Sequence, residues 1–205
     1  GIGLIASRLT LQGPIKEDTA SFILSGRRTY IDVLTRPLIP DTSAFSGSGY
    51  FFYDLTAKLN WRLSDKDRLF LSGYFGRDVF TFNNADLDFT FHVPWGNSTA
   101  SLRWNHLFND RLFVYTSAVF TDYNFAFEGG SSGFTFRLSS GIRDGNLKQD
   151  FTYYPNSLHN VKFGWNYTLH RFIPSSLGAS SGDVEFDTGE DVKIFGNEAA
   201  IYLLD

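Results

Sequence analysis

Residues 50–63 read YFFYDLTAKLNWRL, and this alternation constrains the chain more than any other feature. Phe51, Tyr53, Leu55, Ala57, Leu59, Trp61 and Leu63 fall at every second position. Phe52, Asp54, Thr56, Lys58, Asn60 and Arg62 fall between them. Successive side chains of a strand point to opposite faces, so the segment makes a strand with one apolar and one polar face. Residues 161–170, VKFGWNYTLH, repeat the pattern, and in 98–107 Ala100, Leu102 and Trp104 oppose Thr99, Ser101, Arg103 and Asn105. Further strands are expected at 3–12, 20–34, 68–82, 111–127 and 134–153, and 194–205 begins another. In 134–153 the apolar set changes parity between Ile142 and Leu147, which predicts a bulge near Gly145. The expected fold is all-β, an antiparallel up-and-down meander of about eight to nine long strands.

The connections alternate in length. Short turns are expected at Gly13-Pro14 to Asp18, Ser64 to Asp67, Asn109-Asp110 and Pro155 to Ser157. Longer connections are expected at about 35–49, 83–94, 128–133 and 175–193. A meander with this order gathers the short turns at one end, as outer-membrane barrels do on their periplasmic side. Strands of about 9–11 residues cross a bilayer when tilted, and several of these are longer. Lys58, Arg62, Arg103 and Lys162 would each cost about 2–4 kcal/mol on a lipid face at mid-depth, so they are assigned to the lumen. Tyr50, Phe51, Trp61, Trp95 and Trp165 are expected in interfacial girdles.

Composition narrows the alternatives. Aromatic residues make up 18% of the 205 residues, in keeping with strand propensity. No stretch approaches the roughly 18 apolar residues of a membrane helix, and no basic-then-apolar leader opens the chain. The net charge of −4 argues against a strongly basic nucleic-acid binder. With no cysteine there is no disulfide, thiolate metal site or Cys nucleophile. The chain starts at Gly1 and has no Met, as expected of a processed, truncated or partly observed product. A soluble β-sandwich also alternates, but its strands average about 5–6 residues. The other architectures are a complete eight-stranded outer-membrane barrel and a soluble sugar-binding sandwich with exposed aromatics.

Five segments go beyond generic alternation: SFILSGRRTYID (21–32), DKDRLFLSGYFGRDVF (65–80), WGNSTASLRWNHLF (95–108), SSGIRD (139–144) and SGDVEF (181–186). With the opening GIGLIASRLTLQGPI (1–15), they resemble the first part of the barrel of TonB-dependent outer-membrane receptors. The likeness is to the Bacteroidota type, with a carboxypeptidase-regulatory-like domain and a plug before the barrel. It implies a 22-stranded transmembrane β-barrel around a plug, of which residues 1–205 supply one partial domain. It also implies import of a scarce extracellular ligand driven by TonB, in the outer membrane of a Gram-negative bacterium. The plug, the TonB-contacting segment and the later strands are expected to lie outside this stretch. The implied partners are outer-membrane lipid and lipopolysaccharide, TonB through the missing N-terminal part, and a surface lipoprotein or other outer-membrane subunits. A receptor-like subunit that no longer transports is a further alternative.

Little chemistry is written in the chain, and no enzyme, cofactor, catalytic residue or metal ligand is expected. His92, His106, His159 and His170 show no metal-ligand spacing. Asp86, Asp88 and His92 share one expected loop, and serines cluster at 175–181, without a geometry that makes a triad. One of Arg27 and Arg28 should face the lumen and the other should snorkel to an interface. Arg77 and Asp78 are expected to form a rim pair. Loops 83–94 and 175–193 are the expected ligand contacts, with no single residue assignable. Asn97-Ser98-Thr99 and Asn166-Tyr167-Thr168 match glycosylation acceptors but fall in expected strands.

Overall fold

The computed structural model describes residues 1–40, 42–187 and 192–205. Its strands are β1 (Ala6–Lys16), β2 (Ala20–Thr29), β3 (Gly49–Arg62), β4 (Asp67–Asn84), β5 (Phe89–Asn109), β6 (Leu112–Ser131), β7 (Phe134–Tyr153), β8 (Val161–Ser181), β9 (Val184–Asp187) and β10 (Ile194–Leu204). They form one antiparallel sheet in the order β1-β2-β3-β4-β5-β6-β7-β8-β10, with the short β9 folded back on the end of β8. A short helix, α1 (Ile31–Thr35), and a 3-10 turn (Arg36–Leu38) interrupt the β2–β3 connection. No helix among the described residues is long and apolar enough to cross a membrane.

The meander stands as expected, with ten strands among the described residues rather than eight and part of a ninth. Strands β4 to β8 run to 18–21 residues, so most of 83–94, 128–133 and 175–193 is strand and not loop. Within these ranges 85–88, 132–133 and 182–183 are tight turns. The Gly13-Pro14 turn is also displaced, since both residues lie inside β1 and the chain reverses at 17–19 with Asp18 at φ 54. Pro14 adjoins the register shift between Pro14 and Lys16, an interruption of the ladder where a residue without an N–H is tolerated. Among the described residues β1 pairs only with β2, and β8 is flanked by β7 on one edge and by β9 and β10 on the other. The first and eighth strands therefore do not close an eight-stranded barrel.

Register assigns every side chain to one of two faces. The face carrying Leu59, Leu71 and Leu102 is here the leucine face, and that carrying Lys58, Lys148 and Lys162 the lysine face. Near the short-turn end the leucine face presents one row across seven strands: Trp61, Leu69, Trp104, Thr116, Gln149, Trp165 and Ile201. The next row is Leu59, Leu71, Leu102, Ala118, Leu147, Tyr167 and Ala199. On this face Leu55 is 57% exposed, Leu71 47% and Leu102 43%. Only Val79, Val114 and Ala126 are buried hydrophobics among the described residues. A water-soluble fold of this size would hide its leucines in a core; this sheet displays them as a continuous surface, which calls for an apolar surrounding.

The amphipathic sense then inverts along the strands. In β5 the leucine face carries Leu102 and Trp104 low down and His92, Gly96 and Ser98 higher up. The lysine face of the same strand carries Ser101 and Arg103 low down and Phe89, Phe91, Val93 and Trp95 higher up. Strand β7 does the same, with Leu147 and Phe151 on one face and Phe134, Phe136, Leu138 and Ile142 on the other. The parity change in 134–153 is this inversion and not a bulge at Gly145, which pairs in regular register with Leu169. The irregularity lies between the Ser139↔Ser176 and Gly141↔Ile173 pairs, where β8 fits an extra residue at Pro174-Ser175.

Candidate functional site: an aromatic wall above a polar lining

At the long-strand end the lysine face is paved with rings. Phe82 of β4 pairs directly with Phe91 of β5, their centroids 5.0 Å apart and stacked at 24°. Phe91 continues to Phe127 of β6 at 5.6 Å, and Phe127 to Phe136 of β7 at 5.3 Å. Phe45, from the connection before β3, closes one end on Phe82 at 5.8 Å, and Phe134 extends the other on Phe136 at 6.1 Å. Gly129, between Phe91 and Phe136 in register, makes room for the ladder: a Cβ there would lie 3.0 Å from the Phe136 ring and 3.1 Å from the Phe91 Cβ. Two rows lower Trp95 stacks on Tyr50 of the intervening row at 6.3 Å, and the Tyr50 hydroxyl donates to Asp78 at 2.6 Å. Ring pairs at such separations contribute about 0.5–1.5 kcal/mol beyond their area.

Below the rings the lysine face is polar and internally paired. Arg27 meets Asp54 at 2.6 Å, and its guanidinium lies over Phe52. Lys148 meets Asp150 at 3.1 Å. His170 Nδ1 is 2.9 Å from Asp144, with Glu198 at 3.7 Å on its other nitrogen. The Asn146 side-chain amide donates to Asn166 and Thr168 at 2.7 and 2.8 Å. Arg103 lies over the Phe70 ring at 4.3 Å.

Arg27 and Arg28 divide as their parity requires. Arg27 is on the lysine face, and Arg28 is on the leucine face, paired with Asp32 at 3.1 Å and lying over Phe51. Lys58, Arg62, Arg103 and Lys162 all lie on the lysine face. The Arg77–Asp78 rim pair does not form, because neighbouring strand residues point to opposite faces and Asp78 accepts from Tyr50 instead. Trp61 and Trp165 hold girdle positions with Trp104, whereas Tyr50 and Trp95 turn to the other face.

Three of the histidines meet carboxylates: His106 with Asp67 and His170 with Asp144 across strands, and His159, before β8, with Asp205, after β10. His92 contacts the Thr81 hydroxyl at 3.0 Å. No group of His, Cys, Asp and Glu able to hold a metal occurs among the described residues. Asp88 accepts from the backbone and hydroxyl of Ser132, which hold its carboxyl below the usual range. Two serines of 175–181 bond to neighbours on β7, Ser176 with Ser139 and Ser180 with Thr135. The described hydrogen bonds therefore gather no triad from Asp86, Asp88, His92 and these serines. Asn97 and Asn166 are mid-strand on the lysine face. Part of the expected ligand loop, 188–191, lies outside the described residues. Reading the chain by loops overlooks the aromatic wall. Its signal is present, however, in the spacing of Phe89, Phe91, Val93 and Trp95 against Ala100, Leu102 and Trp104.

A long antiparallel up-and-down sheet with one leucine-rich face and one polar face, left open at both edges, has the architecture of a partial β-barrel wall. No family model matches the chain, and no curated protein matches it. Among solved structures it is similar to the ferric yersiniabactin uptake receptor FyuA from Yersinia pestis, with a TM-score of 0.53 at 11% identity. The similarity covers 97% of this chain and 41% of that one, so the chain spans about two fifths of the receptor's length. At this identity the likeness establishes the fold: nearly the whole chain follows the path of an uptake receptor.

Proposed function

We propose that residues 1–205 are one stretch of the barrel domain of a TonB-dependent outer-membrane receptor that imports a scarce extracellular ligand. The observation that carries this reading is the leucine face, a band bounded by a tryptophan row below and polar residues above, opposite a polar face. The uptake-receptor fold of FyuA supports it, as do the five sequence segments that resemble this family. The outer edges of β1 and β10 carry no partner strand among the described residues, and unpaired backbone is not tolerated in lipid. Further strands of the receptor would seal them, around a plug that contacts TonB. The Bacteroidota type follows from the same resemblance. In this reading the wall of Phe82, Phe91, Phe127 and Phe136 lines the extracellular mouth, where an incoming ligand is held.

The test is the complete coding sequence and its product. A plug upstream, about a dozen strands downstream and recovery in the outer-membrane fraction are expected. Deletion of the gene should abolish accumulation of one labelled nutrient among siderophores, vitamins, peptides and glycans, and collapse of the proton gradient should do the same. A protein without a plug, or one recovered in the soluble fraction, overturns the reading. Retention of the barrel with no loss of any nutrient would favour a non-transporting subunit of a larger outer-membrane assembly.

A further inference from the structure

The aromatic wall carries no cation, and this restricts what it can hold. Its upper row runs Phe82, Phe91, Gly129, Phe136, Ala179 and Phe186 in direct register across β4 to β9. In the two rows below, Asp78 is the single charged side chain among the described residues, and it already accepts from Tyr50. The first cation on this face is Arg27, one row further down and paired with Asp54. The three rows cover about 24 Å across the strands, at ~4.8 Å per spacing, and about 13 Å along them, at ~3.3 Å per residue. The opposite face at the same height is polar: Thr81, His92, Glu128 and Arg137 form one row, with Arg137 3.3 Å from Glu128.

Height separates this surface from the leucine band. On β5, Phe91 lies beyond Ser98, the upper border of that band, by about 23 Å along the strand at ~3.3 Å per residue. An apolar patch of this extent, backed by a polar face, marks a contact surface for a solute and not for lipid. Phe80 and Phe134 are exposed on it. Its rings are tilted against one another, by 50° between Phe80 and Phe91 and by 44° between Phe91 and Phe127, so they present edges as well as faces. Phenylalanine brings no hydrogen-bond donor or acceptor. A glycan or peptide laid on the wall would lose water from its hydroxyls and amides without replacement, and an anion would meet no cation. A flat, uncharged ring incurs neither cost and gains offset or edge-to-face contact with several phenylalanines at once.

Resting on the reading of residues 1–205 as receptor barrel, we propose that the wall selects an uncharged aromatic ligand, whose rings continue the ladder of Phe91, Phe127 and Phe136. The selection works by exclusion as much as by contact: the missing cations reject anions, and the missing donors and acceptors reject glycans and peptides.

The test uses the full-length receptor in lipid nanodiscs and three probes: 2-naphthol, its anionic counterpart naphthalene-2-sulfonate, and maltotriose. Binding is read by equilibrium dialysis, with empty nanodiscs as the reference for partition into lipid. Saturable binding of 2-naphthol is expected, with the sulfonate weaker by about tenfold or more and maltotriose unbound. Phe91→Ala and Phe127→Ala should each weaken 2-naphthol by about tenfold, whereas Phe120→Ala on the leucine face should leave it unchanged. Phe127→Leu keeps the apolar volume without the ring; it should lose about threefold, and it serves in place of Phe127→Ala if that variant fails to fold. Sulfonate or maltotriose binding as tightly as 2-naphthol would overturn the proposal, as would the absence of saturable naphthol binding. Wall variants that bind like the parent would do the same, and a leucine variant equal to the parent would remove the aromatic requirement on which the proposal stands. A plug-bearing receptor of the outer-membrane fraction that imports a nutrient but fails these binding tests leaves the receptor reading intact and removes this proposal alone; a product without a plug, or soluble without detergent, removes both.

Discussion

Placing an arginine along one strand measures how deep each position lies in the membrane. On the leucine face of β5 the series Ser98, Ala100, Leu102 and Trp104 runs from the upper polar border to the tryptophan row. These six residue steps span about 20 Å along the strand at ~3.3 Å per residue, or about 15 Å of depth at a tilt near 40°. Ala100 and Leu102 are therefore the deepest members. Arginine at either should destabilise the folded barrel by about 2–4 kcal/mol, whereas at Ser98 the cost should fall to about 0–1 kcal/mol. Expressed as equilibrium constants, the mid-band cost is roughly 30- to 900-fold. Ser101→Arg, one residue away on the lysine face, should cost little, because Arg103 already occupies the next position on that face. The assay is equilibrium unfolding of the full-length barrel in phospholipid vesicles by urea, followed by tryptophan fluorescence. Equal costs at 101 and 102, or a larger cost at 98 than at 102, would refute the assignment of faces.

Three further outcomes are expected. A Cβ on Gly130 would fall 2.1 Å from the Phe134 carbonyl, whereas one on Gly178 meets nothing within 4 Å. Gly130→Ala should therefore lower stability by about 1–3 kcal/mol and Gly178→Ala should not, as read from urea midpoints. A double-mutant cycle with Phe127→Ala and Phe136→Ala should return a coupling of about 0.5–1.5 kcal/mol; additivity would mean the ladder is not formed. The Asp88 tie to Ser132 lowers the folded-state carboxyl value, so its stabilisation is present above the unfolded value and is lost as pH falls through the folded one. The protection factors of the amides at 131–133, taken against the intrinsic rate at each pH, should fall on acidification through that range, and in Ser132→Ala they should be low already at neutral pH. An unchanged profile in the parent would show that the contact does not hold the turn.

Most of the fold was legible because a strand's side-chain period is fixed at two. Residues 50–63 and 161–170 read as two-faced strands, and the structure places them in β3 and β8 with those faces. Several readings that failed share one cause. At Ile142 and Leu147, and again around Trp95 and Ala100, the apolar residues change parity, and the chain alone does not distinguish a bulge or a loop from an inversion of environment. Ending the strands there turned β-structure into loops, hid the ring ladder and placed Trp95 and Tyr50 in the girdle. Arg77 and Asp78 failed as a pair for the complementary reason: adjacency along a strand is separation across a sheet.

By itself the sequence determined the strands, their meander and the separation of leucines from cations, since each is local or periodic. Tertiary structure decided what depends on register between strands. It aligned Trp61, Trp104 and Trp165 in one row, joined Phe82, Phe91, Phe127 and Phe136 into a wall, and set Arg143 against Arg171. A one-residue slip in any pairing would have sent those side chains to the opposite face, so only the formed ladder fixes which rings and which charges share a surface.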